Sequence, residues 1–401
     1  MSPKKAEVVI LGGGAIGFSI AYHLAKEGIC SQVIEMDSIG AKASGASMGC
    51  IGSAAGSVLY LGSFLPSDAR AAAIPLHEEG SVRMKQLHSE LKEMGGLNIR
   101  YTDTPCLFCA IFKEEENMLK KLVTEAKNRG FKATWLTGDE ARAKETTLST
   151  EIRGAAFVDY GHVDAYRYTL ALAQGAERLG CSISLAKAVG FQCQGKKVTS
   201  VVLDTREVAA ETVVIAMGPW SGQAGSWLGV KIPQMVVRAQ AVELQTPMHP
   251  KYQTAYTPPA IGEWPRHYVF ISPRVDGSVL AGYTEDRPAI WDDNRPETWE
   301  DIPTQDMKEL IIEWAARLQP PVEEAMLVEC RHALLGYPPD LGPIIGSLNE
   351  WENVYIATGM SDSGIICSPT VGRIITSLIA GGTRAKKAVE QWEPLSPNRF
   401  A

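Results

Sequence analysis

A glycine-rich turn between a short strand and a helix constrains this chain more than any other feature. Gly12, Gly14 and Gly17 form the spacing G-x-G-x-x-G after residues 7–11, and apolar side chains then repeat at helical spacing to about residue 27. Glycines at this spacing allow a tight turn, close approach of the backbone to a pyrophosphate and close helix packing. Amide groups of the first helical residues donate to phosphate oxygens. The pattern predicts a βαβ unit that binds a dinucleotide.

An acidic residue ends the second predicted strand. The helix is predicted to stop at Gly28, and residues 32–35 then form a short strand whose last residue is Glu35. An acid at this position can bond the diol of an adenosine ribose. It disfavours the 2′-phosphate of NADP, so NAD and FAD stay open as alternatives.

Length, charge and cysteine usage exclude several classes of protein. A chain of 401 residues that is 45% hydrophobic usually fills more than one core, which predicts two domains. A net charge of −7 argues against a general nucleic-acid binder. No apolar run is long enough for a membrane span, and no signal peptide is evident. Cys106 and Cys109 lack the second ligand pair of a zinc site, so we expect a buried strand there, free thiols and a cytoplasmic chain.

Local patterns predict several elements further along the chain. Asp164 is predicted to cap a helix that runs to Leu179. Alternating residues 235–245, together with strands near 268–272 and 278–283, predict an antiparallel sheet with one covered face. Thr304 is predicted to cap a helix that ends near Leu318.

Three segments of small residues bear on the choice of cofactor. Residues 44–47 form a small-residue loop after the second strand, and residues 212–217 form a buried strand that ends in a glycine turn. Residues 353–357 repeat that form near the C-terminus. Ser368 and Pro369 are predicted as the N-cap and the first position of the last long helix.

In this order, these segments resemble the FAD-dependent oxidoreductases related to D-amino acid oxidase, glycine oxidase and sarcosine oxidase. The entry to a helix at residues 162–164, the hairpin that contains Pro273 and Arg274, and residues 340–346 extend the resemblance over nearly the whole chain. Five segments in the family's order are far more specific than a glycine pattern alone. The resemblance therefore favours FAD over NAD.

The resemblance implies a mixed α+β and α/β fold with two domains. A discontinuous Rossmann-like FAD-binding domain is expected over residues 1–97, 151–231 and 326–401. An antiparallel-sheet substrate domain is expected over residues 98–150 and 232–325, lying over the flavin.

The resemblance also implies which residues contact FAD. The glycines would hold the pyrophosphate, Glu35 the adenosine ribose and the Val189 backbone the adenine, and the last helix would point its dipole at the flavin N1–O2 edge. Carried over by position, the expected cofactor residues are Gly12, Gly14, Ala15, Ile16, Gly17, Glu35, Ser44, Ser47, Val189, Gly218, Trp220, Gly346, Gly359, Ser363, Gly364, Ile365 and Ile366.

Both anchors that relatives use for a substrate carboxylate are missing. Leu335 stands where relatives carry an arginine, and Ile366 where sarcosine-oxidase-like members carry a lysine. A carboxylate buried there without a cation would cost several kcal/mol. The substrate carboxylate is therefore held elsewhere or absent. The cations that could substitute are Arg331, His332, Arg266, His267 and Arg70.

The residues predicted to act on the substrate are Tyr268, His267, Tyr337, Arg331 and Asp362. Asp362 lies in the loop expected to face the flavin and is a candidate for binding an ammonium group, with a solvated loop acid as the alternative. Aromatic residues predicted to shape the pocket, or to serve only in packing, are Tyr60, Tyr256, Trp264, Tyr268 and Tyr337.

Two further departures concern the flavin. Gly49 stands where some relatives carry a histidine bonded covalently to FAD, so we expect non-covalent FAD, with Cys50 and Cys330 as the nearest covalent candidates. Leu280 stands where sarcosine-oxidase-like members place a lysine that helps reduce oxygen. This weakens the case for an oxidase and favours a dehydrogenase that uses another electron acceptor.

Three hypotheses follow from the resemblance. The first is a stand-alone oxidase or dehydrogenase that removes a hydride from the carbon next to a nitrogen in a secondary or cyclic amine, amino acid or opine-like compound, and delivers it to flavin N5. The second is a flavin subunit that passes electrons to a partner subunit. The third is a non-catalytic protein that holds FAD in an assembly.

We predict that the purified protein is yellow and releases FAD when it is denatured by acid or heat. The reason is that no residue matches the family's covalent histidine. The absorbance spectrum of the supernatant and chromatography of the released flavin check this. Recovery of FMN would contradict the cofactor assignment, whereas flavin left on the precipitated chain would contradict only the non-covalent attachment.

Overall fold

The computed structural model describes residues 7–62, 68–257, 269–284 and 303–401. Within these ranges the helices are α1 (Ala15–Lys26), α2 (Ala43–Ala46), α3 (Ala54–Gly62), α4 (Asp68–Glu93), α5 (Lys113–Asn128), α6 (Gly138–Lys144), α7 (Ala165–Arg178), α8 (Ser221–Leu228), α9 (Gln305–Leu318), α10 (Gly364–Ala380) and α11 (Gly382–Trp392). The strands are β1 (Val8–Leu11), β2 (Ser31–Glu35), β3 (Cys50–Gly52), β4 (Thr102–Asp103), β5 (Cys106–Ala110), β6 (Ala133–Thr137), β7 (Gly154–Val158), β8 (Tyr160–His162), β9 (Ser182–Leu185), β10 (Ala188–Gln194), β11 (Lys197–Leu203), β12 (Glu207–Ala209), β13 (Thr212–Ile215), β14 (Met235–Gln245), β15 (Gln253–Tyr256), β16 (Val269–Pro273), β17 (Val279–Thr284), β18 (Met326–Tyr337), β19 (Ile344–Ser347) and β20 (Val354–Thr358).

A six-stranded, mostly parallel sheet carries the glycine turn. Its order is β19-β20-β13-β1-β2-β9, and only the β19–β20 pair is antiparallel. Val8 and Ile10 of β1 pack into the cluster formed with α1, α4, α7 and α10, whereas Val9 and Leu11 face the cluster formed with α8 and the small β10-β11-β12 sheet. Both faces of β1 are therefore buried, as a central parallel strand requires. The Rossmann-like prediction is confirmed.

An eight-stranded sheet forms the second layer. Its order is β18-β14-β17-β16-β15-β5-β7-β6, and only β15 and β5 pair in parallel. Helix α9 packs on this sheet through Met307, Ile311 and Ala315, which share a cluster with Val242 and Ile271. The prediction of an antiparallel-sheet domain is confirmed, and Cys106 and Cys109 lie buried in β5 as expected.

Two of the predicted domain boundaries are wrong. Strands β7 and β18 belong to the eight-stranded sheet, although residues 151–231 and 326–401 were assigned to the FAD-binding domain. The reason is backbone pairing: β7 pairs with both β5 and β6, and β18 pairs with β14 from Met235 opposite Tyr337 to Gln245 opposite Met326. The chain returns to the six-stranded sheet only at β19.

The predicted start of the last long helix is also wrong. Helix α10 begins at Gly364, so Ser368 and Pro369 lie inside it. In a regular helix the amide of residue 369 would donate to the carbonyl of Ile365, but proline has no amide hydrogen. Ser368 Oγ donates to that same carbonyl at 2.8 Å and replaces the missing bond. It also bonds Tyr168 Oη at 2.8 Å, which ties α10 to α7.

No helix in the part of the chain that the structure describes is long and apolar enough to cross a membrane.

We predict that Ser368→Ala lowers the free energy of unfolding by about 1–3 kcal/mol, because the Ile365 carbonyl and the Tyr168 hydroxyl would both lose a buried partner. Urea denaturation followed by circular dichroism measures this. The control is Ser89→Ala, whose hydroxyl also bonds a carbonyl within a helix but is exposed; it should change stability by less than about 0.5 kcal/mol. Equal stabilities for the two variants would show that Ser368 does not support the proline.

Candidate active site

Two adjacent cavities meet above the carboxyl ends of the parallel strands. The first, cavity I, extends from the glycine turn over Glu35 to Gly218 and Gly359. The second, cavity II, lies between the start of α10 and the eight-stranded sheet. Residues that line both are Ile16, Ala43, Ser44, Leu335, Ser361 and Gly364. The two cavities form one continuous slot, placed where open parallel sheets bind their ligands.

The glycines of the turn have no side chains, so a ligand in cavity I can approach the backbone closely. Gly12 has a φ of 107°, and a Cβ on it would collide with the carbonyl oxygen of Ala216. A Cβ on Gly17 would collide with the carbonyl oxygen of Gly12. Helix α1 can therefore begin directly at the turn, with no acidic residue in its first turn. Its N-terminus suits an anion.

Glu35 fixes the turn and faces cavity I. Its Oε2 accepts from the Gly13 amide at 2.6 Å, and its Oε1 accepts from the Asp37 amide at 2.8 Å. The side chain is 8% exposed, and each carboxylate oxygen keeps a lone pair for another donor. This arrangement suits a ribose hydroxyl.

Ser361 marks the junction of the two cavities. Its φ of 51° lies in the left-handed region, which costs a non-glycine residue free energy. Its Oγ is buried and has no hydrogen-bond partner among the described residues. A buried unpaired hydroxyl is unfavourable unless a ligand satisfies it. Together with the glycine turn and Glu35, this hydroxyl fits an extended dinucleotide that passes from cavity I into cavity II.

One wall of cavity II carries three side-chain hydrogen bonds. On this wall the Tyr60 hydroxyl donates to Asp362 Oδ2, and the Ser363 hydroxyl donates to Asp362 Oδ1 at 3.1 Å. Ser57 Oγ lies 3.0 Å from His77 Nδ1. The wall combines one acid with a buried histidine and three hydroxyl groups.

The opposite wall is formed by β14 and β18. Arg331 faces the cavity from β18, where its Nη2 donates to Glu243 Oε2 at 2.5 Å and its Nε to Glu329 Oε2 at 2.8 Å. His332 and Gln240 lie beside it on paired strands. Arg331 thus has a fixed orientation and a largely compensated charge.

Two ionisable side chains of cavity II stay neutral near pH 7. Burial, with a smaller contribution from the charge of Asp362, raises the pKa of the Cys50 thiol to about 12. Burial first, then the charges of Cys50, Cys106 and Asp362, raise the pKa of Tyr160 well above its usual value. Neither group is a nucleophile or a base in this environment.

Comparison with protein families settles the cofactor. A family model described as "FAD dependent oxidoreductase" (DAO) matches residues 7–378. The chain belongs to this family. It is therefore an FAD-dependent enzyme, and cavities I and II together form the site whose residues fit FAD.

Known relatives cover almost the whole chain. Glycine oxidase of Bacillus licheniformis is 26% identical over 394 residues, which are 97% of each protein. The 4-methylaminobutanoate oxidase (formaldehyde-forming) of Paenarthrobacter nicotinovorans is 26% identical over 401 residues, which are 95% of this chain and 44% of that protein. The crystal structure of glycine oxidase from Bacillus cereus ATCC 14579 has a TM-score of 0.81 at 26% identity and covers 94% of this chain and 95% of its own.

Most of the predicted FAD residues lie at the slot. Those that line one or both cavities are Gly12, Gly14, Ala15, Ile16, Glu35, Ser44, Ser47, Gly218, Trp220, Gly359, Ser363, Gly364, Ile365 and Ile366. Gly17 instead packs α1 against the turn. Val189 is 45% exposed, and cavity I is lined by the three residues before it, 186–188.

Gly346 was predicted to contact FAD, but it does not line the slot. It sits in β19, where a Cβ would approach Pro397 Cδ at 3.0 Å, so it serves the packing of the C-terminal segment.

Among the predicted substrate residues, Arg331 and Asp362 line cavity II. Tyr337 lines neither cavity, because it lies at the far end of β18 in a cluster with Met235 and Val237. Tyr256 is buried in the core, where its hydroxyl donates to Glu115 Oε1 at 2.6 Å. His267 and Tyr268, like Trp264 and Arg266, lie outside the described residues, and the Arg70 side chain does too.

The contribution of α3 and α4 to the site was not predicted from the sequence. Ser57 and His77 line cavity II, yet neither stands in a segment that carries the family resemblance. One feature of the sequence could have indicated this contribution. His77 lies at helical spacing from Ala73, Leu76, Gly80 and Met84, which places it on the buried face of α4. A histidine on an apolar helix face is a candidate for either core or site, and only the fold decides between them.

We predict that Gly14→Val abolishes FAD binding. A Cβ at Gly14 would lie 2.9 Å from Ser44 Oγ, and the valine methyl groups would extend into cavity I. Glu35→Ala should weaken FAD binding less, because it removes hydrogen bonds without filling space. Fluorescence titration of the apoprotein with FAD measures both.

The matched control is Gly190→Val, since a Cβ on Gly190 meets nothing within 4 Å and its φ is not positive. Full flavin occupancy in Gly14→Val would refute the assignment of the phosphate loop.

Proposed function

We propose that this enzyme oxidises the C–N bond of a secondary or cyclic amine or amino acid, with FAD held non-covalently. When bound, FAD supplies the hydride acceptor at flavin N5. The chain supplies binding, orientation and exclusion of water around the reacting carbon. Oxygen or another electron acceptor would then reoxidise the flavin.

The observation that carries this proposal is the character of cavity II beside the flavin site. Leu335 and Ile366, at the two positions where relatives keep cations, both line it. Ile366 is 5% exposed, so a carboxylate placed against it would be buried against hydrocarbon. Burial of an unpaired carboxylate costs several kcal/mol. The pocket therefore favours a substrate without an α-carboxylate next to the reacting carbon.

Arg331 offers an anchor for a more distant carboxylate. Arg331, Ala333 and Leu335 alternate along β18 and all line cavity II. Four residues of strand span about 13 Å, so Arg331 lies far from the apolar end of the pocket. Its remaining N–H groups can receive a carboxylate while Glu243 keeps the guanidinium oriented. The name of the relative 4-methylaminobutanoate oxidase describes an amine with a remote carboxylate, which agrees with this spacing.

Non-covalent attachment is supported by the surroundings of Gly49 and Cys50. A side chain at Gly49 would collide with the carbonyl oxygen of Val163, so the place of a covalent histidine is closed. Cys50 does face cavity II, but its pKa of about 12 keeps it a thiol. A thiol is a poor nucleophile toward a flavin.

We predict a kcat/KM for N-alkyl or cyclic amines, or for N-methylated ω-amino acids, that exceeds the values for sarcosine and D-alanine by more than about tenfold. Steady-state kinetics with a dye acceptor and with oxygen measures this. A highest kcat/KM with sarcosine or D-alanine would refute the apolar-pocket inference.

For a substrate with a remote carboxylate, Arg331→Ala should lower kcat/KM by about ten- to a hundredfold through loss of a charged hydrogen bond. Arg384→Ala is the control, because Arg384 pairs with Glu27 on the surface away from the slot. Equal effects of the two substitutions would remove Arg331 from the site.

A further inference from the structure

A buried serine–histidine pair lies at the slot without an assigned role. Ser57 on α3 is 2% exposed and His77 on α4 is 5% exposed, and both line cavity II. Ser57 Oγ lies 3.0 Å from His77 Nδ1. The hydrogen bond between them compensates their burial, and both side chains still border the space where a ligand can lie.

The helices hold this pair at the start of α10. Ser57 and Tyr60 lie three residues apart on one face of α3, and Tyr60 bonds Asp362. His77 and Gly80 lie three residues apart on α4, and Gly80 packs so closely on the carbonyl of Ile366 that a Cβ there would collide with it. Ser57 and His77 are therefore fixed beside the loop that carries Asp362, the one acid among the described residues that line cavity II.

We propose that Ser57 and His77 form a proton relay that deprotonates a substrate amine when it arrives as an ammonium ion. This inference rests on the proposed function, because it concerns the nitrogen next to the carbon that is oxidised. An ammonium has no lone pair on nitrogen, and that lone pair is what assists departure of a hydride from the adjacent carbon. A site that removes this proton can work below the pKa of the free amine.

The proton transfer balances within these two side chains. An N–H bond of the ammonium breaks as its proton moves to Ser57 Oγ, and the nitrogen keeps the electron pair. The Ser57 hydroxyl proton passes at the same time to the lone pair of His77 Nδ1. Ser57 remains a hydroxyl, His77 becomes an imidazolium, and the amine becomes neutral. The imidazolium returns its proton to solvent between turnovers.

The charges around the cavity suit a cation at this wall. Asp362 stabilises the ammonium before the transfer and the imidazolium after it. Arg331, on the opposite wall, is compensated by Glu243 and Glu329. Within the described part of the chain, the other titratable or charged side chains that line the cavity are Tyr60, Asp362, Cys50, Tyr160, Arg331 and His332.

The test is the pH dependence of flavin reduction, measured anaerobically by stopped flow with the best amine of the substrate panel. Near pH 7, His77→Gln and Ser57→Ala should reduce the flavin roughly 10²-fold more slowly than the unmodified enzyme, the usual contribution of a positioned acid or base. Above the pKa of the free amine the deficit should disappear, because the amine then arrives neutral. Ser57→Thr, which keeps the hydroxyl, should retain the rate.

His88→Gln is the matched control, since His88 lies three turns further along α4 and lines neither cavity. A deficit of equal size at every pH, or a profile unchanged in both variants, would overturn the relay. If His77→Gln does not bind flavin, the rates of flavin reduction in Ser57→Ala and Ser57→Thr test the relay by themselves. Equal rates for these two variants near pH 7 would overturn it. An unmodified enzyme whose flavin no amine reduces would refute the proposed function itself, which is a distinct result.

Discussion

The parallel pairing of β1 with β2 and β13 is the constraint on which the site depends. This pairing brings the carboxyl ends of three strands to one edge, so that the turn after Leu11, the carboxylate of Glu35 and the turn at Gly218 meet there. Strand β20 joins the same edge through β13 and adds Gly359. None of these segments is near the others in sequence. Their common position follows from the parallel direction of the paired strands.

The second constraint is a single long strand that serves both layers. Strand β18 pairs with β14 in the eight-stranded sheet, and its chain then turns into β19 of the six-stranded sheet. Alternate residues of β18, from Arg331 to Leu335, therefore face the slot in a row. Leu335, at one end of this row, lines both cavities. Under the proposed function, the side chains along this strand would set how far a charged group of the substrate can lie from the flavin.

Sequence patterns predicted those parts of the fold that local physics determines. The alternation of apolar and polar residues predicted the bounds of β14 correctly. Residues Gln305–Leu318 form α9, with Thr304 as its N-cap, as expected. The helix start predicted at Pro369 was wrong, although proline often occupies the first position of a helix. Here the hydroxyl of Ser368 replaces the hydrogen bond that proline cannot donate, so the helix continues through Pro369. Ser57 and His77 could not be assigned to the site from sequence, because only the packing of α4 on α10 brings them to the flavin side of the molecule.

The charges in cavity II are arranged so that few are left uncompensated at the apolar centre of the pocket. Arg331 is paired with Glu243, Asp362 accepts from two hydroxyl groups, and burial keeps Cys50 protonated. Among the described residues that line this cavity Asp362 is the one acid, so under the proposed function a substrate cation would be stabilised at that wall. The same low polarity that disfavours an α-carboxylate beside Leu335 and Ile366 also favours loss of the ammonium proton. Substrate selection and activation of the amine would therefore depend on one physical property of the pocket, which two aliphatic side chains establish.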